Sequence, residues 1–108
     1  MTMWLGLVSC ELVVPGARSL KEKRRSVRSL VDRMYRRHRV SVAETGLHDL
    51  HQRAEISIAV VGRSEAEVER LLASLRGMTD DLHDAAVAHW EEQVMDRDQI
   101  LFEMPGEP

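Results

Sequence analysis

Ten lysines and arginines crowd into residues 18–39 against two acids, Glu22 and Asp32, giving that segment a net charge of +8. The whole chain carries −3, so the remaining residues hold −11. A run of this sign suits one chemistry above others, the neutralisation of phosphates, in which each Lys or Arg releases counterions and binding weakens as salt rises. On a helical wheel Lys21, Arg25, Arg28, Arg36 and Arg39 fall on one outward arc, broken only by Asp32. Lys23 and Arg24 flank the apolar side, their stems laid along it and their charges reaching water. These seven are the candidate nucleic-acid-binding residues. The plainer reading is a solvated helix face that offsets the acidic remainder, within the molecule or across a dimer. A pI of about 5.9 and an aromatic content of 4%, too low for a base-stacking platform, weigh on that side.

Three other groupings could do chemistry. His48-Asp49-Leu50-His51 sets two imidazoles and a carboxylate close together, donors that a divalent metal accepts. A further ligand would have to come from His38, His83 or His89, so the segment reads as a polar turn and no metal is assigned. Glu44, Asp49, Gln52 and Arg53 lie where two strands end and suit either a polar site or a Glu44–Arg53 ion pair across a hairpin, worth roughly 0.2–1 kcal/mol. The structural reading is the stronger. Cys10, the sole cysteine, falls mid-strand on an apolar face, which makes an inert thiol and excludes an internal disulfide. No Gly-rich phosphate loop, G-x-S-x-G elbow or H-E-x-x-H pair occurs. No catalytic residue and no cofactor is therefore assigned, and the reading leans away from an enzyme.

The elements that must position these residues follow from periodicity. Ser19 and Glu22 form an S-x-x-E capping box that opens a helix, and Leu20, Val27, Leu30, Val31 and Met34 make its apolar stripe, with Tyr35 and His38 at the edge. Before it, residues 3–14 read as a strand closed by Pro15-Gly16. Trp4, Val8, Cys10, Leu12 and Val14 lie on its core face, and Met3, Leu5, Leu7, Ser9, Glu11 and Val13 on the other. That second face is apolar over its first half, so it is expected to meet another chain or a loop. Residues 40–45 form a second strand and 53–61 a third, with Ala54, Ile56, Ile58 and Val60 inward. Ser64 opens a second helix through another capping box, its stripe is Val68, Leu71, Leu72 and Leu75, and Gly77 ends it.

Residues 82–95 fit a helix through Leu82, Ala85, Ala86, His89, Trp90 and Val94, and a strand through Ala86, Ala88, Trp90 and Val94. A strand is preferred because it completes βαββαβ, an α+β ferredoxin-like sandwich with an antiparallel four-stranded sheet and two helices on one face. The domain spans 1–98, and 99–108, with Pro105, Gly106 and Pro108, reads as a tail. Composition is that of a soluble globular protein, with 44% hydrophobic and 31% charged residues. No apolar run approaches the ~20 residues of a membrane span, and no leader is evident, so a cytoplasmic protein without membrane contact is expected.

The strand ending in Pro15-Gly16, followed by Ser19-Leu20-Lys21-Glu22-Lys23-Arg24, resembles the signature of the YlxP-like family, a bacterial domain of unknown function. Ser41-Val42-Ala43-Glu44 and Asp49-Leu50-His51-Gln52-Arg53-Ala54 resemble its second and third blocks, and the likeness extends over residues 3–76. The resemblance implies a ferredoxin-like fold. It also implies association with RNA or the ribosome, since family genes often lie near those for transcription and translation factors, ribosome-binding factor A among them. It makes Glu44, Asp49, Gln52 and Arg53 the candidates for a site shared across the family. The chain departs from the pattern at His51, where the family often carries tryptophan, and after Gly77, where it is longer and more acidic. The expectation is a non-enzymatic protein that binds RNA or ribosomes through its basic helix and forms a homodimer through the open sheet face. The alternative is a dimeric protein-interaction module with no nucleic-acid role, whose sheet face or acidic 80–98 stretch meets a basic partner.

Overall fold

A computed structural model describes residues 2–102, and the expected tail residues Pro105, Gly106 and Pro108 lie outside them. The elements run β1 (Trp4–Val13), α1 (Leu20–Arg37), β2 (Ser41–Gly46), β3 (Arg53–Gly62), α2 (Glu65–Asp80), β4 (Ala86–Asp96) and α3 (Arg97–Phe102). The four strands form one antiparallel sheet in the order β2-β3-β1-β4, which is the ferredoxin-like arrangement. α1 packs over β2 and β3, and α2 over β1, β3 and β4. The short α3, which the sequence reading divided between domain and tail, continues from the end of β4.

Both long helices begin as their sequences require. Ser19 Oγ accepts the Glu22 N–H at 3.2 Å and Ser64 Oγ accepts the Glu67 N–H at 3.1 Å. The two carboxylates reach back one residue beyond the cap, to the N–H groups of Arg18 and Arg63. Val27, Leu30 and Met34 of α1 and Val68, Leu72 and Leu75 of α2 are buried against Val8, Cys10, Leu12, Ala54, Ile56, Ile58 and Val60 of the sheet. Each of these larger side chains contributes roughly 1.5–3 kcal/mol by leaving water. A Cβ on Gly6 would stand 2.7 Å from Val68 Cγ1, so the glycine is what lets α2 lie this close to β1.

Two sequence expectations change. α2 does not stop at Gly77 but runs on to Asp80, because one further turn buries Thr79, whose hydroxyl donates to Leu75 O at 2.8 Å, and packs Met78 on the core. In β4 the alternation through Ala86, Ala88 and Trp90 is broken. The register moves from Glu11↔His89 to Leu12↔Val87, so Ala88 is an extra, bulged residue and Val87 joins Trp90 and Val94 against the core.

The face of the sheet away from the helices is uncovered among the described residues. The pairing lines its side chains up in rows across the strands: Val61, Leu5 and Met95, then Ser41, Ala59, Leu7 and Gln93, then Ala43, Ser57, Ser9 and Glu91, then Glu55, Glu11 and His89. At the β2 edge, Tyr35 Oη donates to Val42 O at 3.1 Å and His48 Nε2 lies 3.3 Å from Glu44 O.

Candidate nucleic-acid interface

α1 turns its stripe to the sheet, which leaves its charged arc in water. Arg18, Lys21, Arg24, Arg25, Arg28, Arg33, Arg36, Arg37 and Arg39 are all exposed, and none forms an ion pair with another described residue. Lys21, Arg24, Arg25, Arg28 and Arg36 converge with Ser29 and Asp32 on a groove of about 650 Å³ along the helix. Of the two acids in the segment, Glu22 is engaged by the Arg18 N–H, and Asp32 lies in the groove itself. Arg39 is exposed beyond the C-cap, His38, and is not part of the groove. Arg18, Arg33 and Arg37, which the sequence shortlist left out, extend the cationic surface. The signal for them was the ten-residue count itself, which the wheel narrowed too far.

Lys23 is not part of this surface. Its side chain is 0% exposed, its Nζ lies 3.0 Å from Glu44 Oε2, and it donates to Leu47 O at 2.9 Å and His48 O at 3.3 Å. The sequence reading let its charge reach water. Instead Lys23 sits inside the stripe between Leu20 and Val27, and Glu44 comes up beneath it from the core side of β2. Oε2 has no aligned hydrogen-bond donor, so the contact with Nζ is ionic in character. Leu47 is held at φ 59°, left-handed backbone that costs a residue with a Cβ about 1–2 kcal/mol. Its carbonyl is one of the two that Lys23 grips.

The four residues marked as a possible shared site do not form one network. Glu44 pairs with Lys23 and not with Arg53, whose partner is Glu11 on β1. The reason is facial: Glu44 is opposite Ile56 on the core side, whereas Arg53 and Glu11 point to the open side. Gln52 Nε2 donates to Pro15 O and Ala17 O, each at 3.3 Å, tying the β2–β3 connection to the loop before α1. Asp49 is exposed. Lys23 and Gln52 thus brace the two loops at one end of the sheet, and with the Arg53–Glu11 pair this gives three of the four positions a partner within the fold.

His48 reaches back from the β2–β3 connection to Glu44 O of β2, His51 is exposed, and no group of three His, Cys, Asp or Glu among the described residues is placed to hold a metal. Burial pushes the Cys10 thiol up to about 11 from 9.0, with Arg76 opposing and Asp80 and Glu11 adding to the shift, which keeps it protonated near neutrality. No helix among the described residues is long and apolar enough to cross a membrane.

Comparison with known proteins agrees with this architecture. Residues 5–92 match the family described as "Protein of unknown function (DUF503)". "Uncharacterized protein YlxP" of Bacillus subtilis (strain 168) is 33% identical over 76 residues, covering 70% of this chain and 83% of that protein. Among solved structures, the de novo designed protein Foldit4 superposes with a TM-score of 0.52 at 13% identity, over 85% of this chain and 96% of its own. A designed protein with ferredoxin fold, LFR1 1, gives 0.50 at 13% identity, over 96% and 94%. At these identities the two designs show the fold alone. The chain belongs to the YlxP-like family of proteins of unknown function.

Proposed function

We propose that this YlxP-like chain is a non-enzymatic binding protein that lays the exposed face of α1 along the phosphate backbone of RNA. The observation that carries the reading is the set of nine exposed Lys and Arg side chains on and beside α1, none of them paired within the described chain. A cation without an internal partner keeps its hydration and counterions in the free protein, and meeting a phosphate releases the counterions. Ten of the eighteen acids lie between residues 65 and 98, on α2, β4 and the segments beside them, and α2 covers the β4 side of the sheet while α1 covers the β2 side. The low overall pI therefore coexists with a strongly positive local surface. With no aromatic platform on α1 beyond Tyr35, whose hydroxyl is engaged at β2, contact is with backbone rather than bases. The ribosomal association implied by the family resemblance makes ribosomal RNA the first substrate to try.

Fluorescence anisotropy of a labelled single-stranded RNA at rising salt tests this. If about five phosphates are neutralised, log K falls with log salt with a slope of roughly −3.5. Changing Arg25, Arg28 and Arg36 to Glu lowers the local charge from +8 to +2 and should abolish binding with the fold intact. Unchanged affinity in that variant overturns the mechanism. Co-sedimentation of wild type and variant with ribosomal subunits extends the test to the ribosome.

A further inference from the structure

The open face of the sheet is a second surface, on the opposite side from α1, and it is shaped and charged for a different ligand. The short side chains of its two middle rows, Ser41, Ala43, Ser9, Ser57 and Ala59, form the floor of a concavity of about 530 Å³ that the longer Leu7, Gln93 and Glu91 of the same rows also line. Beside the concavity, at one end of the face, lies an apolar row of Leu5, Val61 and Met95, next to Leu7 on its rim, and Val61 and Leu7 are 64% and 40% exposed. At the other end of the face lie Glu11 and Glu55, while Glu91 lines the concavity itself. Glu11 is paired with Arg53, while Glu55 has only the Thr45 hydroxyl and Glu91 the His89 ring, so two of these carboxylates lack a Lys or Arg partner within the described chain.

The dimensions fit a helix. From Leu5 to Glu11 is six residues of one strand, or about 20 Å at ~3.4 Å per residue, which leaves room between the apolar row and the acidic row for a helix ~10 Å across. Four strands at ~4.8 Å spacing give a floor about three helical turns long.

A second copy fits poorly. Sheets stacked face to face about a twofold axis along the strands place Val61 over Leu5 and Ala59 over Leu7 of the partner copy, but the same operation sets Glu55 over Glu11. With the twofold axis across the strands and the faces fully overlapped, the apolar row meets the Arg53 end instead. The first solution sets one cation, Arg53, against two carboxylates, and the second puts charge on apolar surface, which disfavours self-association.

We infer that this face docks an amphipathic helix of a partner protein, its apolar stripe set against Leu5, Leu7 and Val61 and its Lys or Arg side chains against Glu55 and Glu91. The inference is independent of the RNA reading, because it uses the other side of the sheet.

The test uses the whole chain, isotope-labelled, and a synthetic peptide of about three to four helical turns with a leucine stripe flanked by lysines. Two controls accompany it, one with glutamate for lysine and one with serine for leucine. The expected result is amide shift changes confined to the four strands, around Ser41, Leu7, Ser57, Ala59 and Glu91. Affinity should be at least tenfold weaker for either control and for Glu91→Lys, and lost in Ala59→Arg, which puts a charge on the floor. Both substitutions are at solvent-facing positions, so retained dispersion of the spectrum shows the fold is kept. Shifts that map to α1, equal binding of the glutamate peptide, or no shifts at all would overturn the inference. So would sedimentation showing a dimer of the free chain that Ala59→Arg disperses, since a second copy then covers the face.

Discussion

Replacing Lys23 by Met keeps the length and apolar volume of its stem but removes the ammonium, and with it three contacts: Glu44 Oε2 at 3.0 Å, Leu47 O at 2.9 Å and His48 O at 3.3 Å. Glu44, only 16% exposed, is left with a carboxylate and no cation. Breaking one side of a buried pair costs about 3–5 kcal/mol, because the surviving charge is desolvated and uncompensated. A domain of this size has roughly 5–15 kcal/mol in total, so the variant should unfold at a much lower urea concentration. Because the pair is shielded, the loss should be the same at low and high salt, unlike that of an exposed pair. The double variant Lys23→Met with Glu44→Leu should recover most of the stability, since neither charge is then left buried alone. Urea unfolding followed by circular dichroism gives all three differences. The single variant should leave the salt slope of RNA binding where it was, because Lys23 offers no charge to the surface. A loss below about 1 kcal/mol, the range of an exposed ion pair, would refute the reasoning.

Gly6→Ala sets a Cβ 2.7 Å from Val68 Cγ1 and 2.9 Å from Val60 Cγ2. It should cost about 1–3 kcal/mol by overpacking, with partial recovery when Val68 is also cut to Ala, read by thermal unfolding. Ser19→Ala removes the acceptor for the Glu22 N–H and should cost about 1 kcal/mol in the same assay. Cys10 should resist thiol reagents in the folded chain near neutral pH and react once urea is added. Its pKa is raised from 9.0 to about 11, so between those values the unfolded chain has released the proton while the folded chain retains it. The unfolded state then binds fewer protons and stability falls as pH rises, by roughly 2–3 kcal/mol at the upper end. Cys10→Ala should lack that component.

The backbone plan was legible because it rests on periodicity and punctuation. Capping boxes at Ser19 and Ser64, the stripe of α1 and the alternation of β3 each point to one element. What escaped depends on which residue meets which. Lys23 lies at stripe spacing between Leu20 and Val27, and Glu44 continues the inward alternation of Val40 and Val42. Two opposite charges at inward positions of adjoining elements are a legible signal for a buried pair, but a lysine beside an apolar stripe fits snorkelling equally well when the sequence stands alone. The bulge at Ala88 escaped because an extra residue in an alternating run leaves no compositional trace. Gly77 misled because glycine favours helix ends without requiring them, and the burial of Thr79 outweighs its cost. The cationic surface itself was legible in the charge count, whereas its pairing state needed the fold.

The contacts of Tyr35 and His48 at β2 bear on how the molecule behaves when crowded. Val42 and Glu44 are alternate residues, so their backbone groups point to the same side, and both carbonyls are occupied by α1 and by the connection after the strand. An incoming strand must both donate and accept along an edge, and this edge offers amide donors without their acceptors. At the other edge Glu91 and Glu92 meet any approaching copy with its own pair of carboxylates. Concentrated protein should therefore stay as separate four-stranded sheets rather than growing edge to edge into fibres.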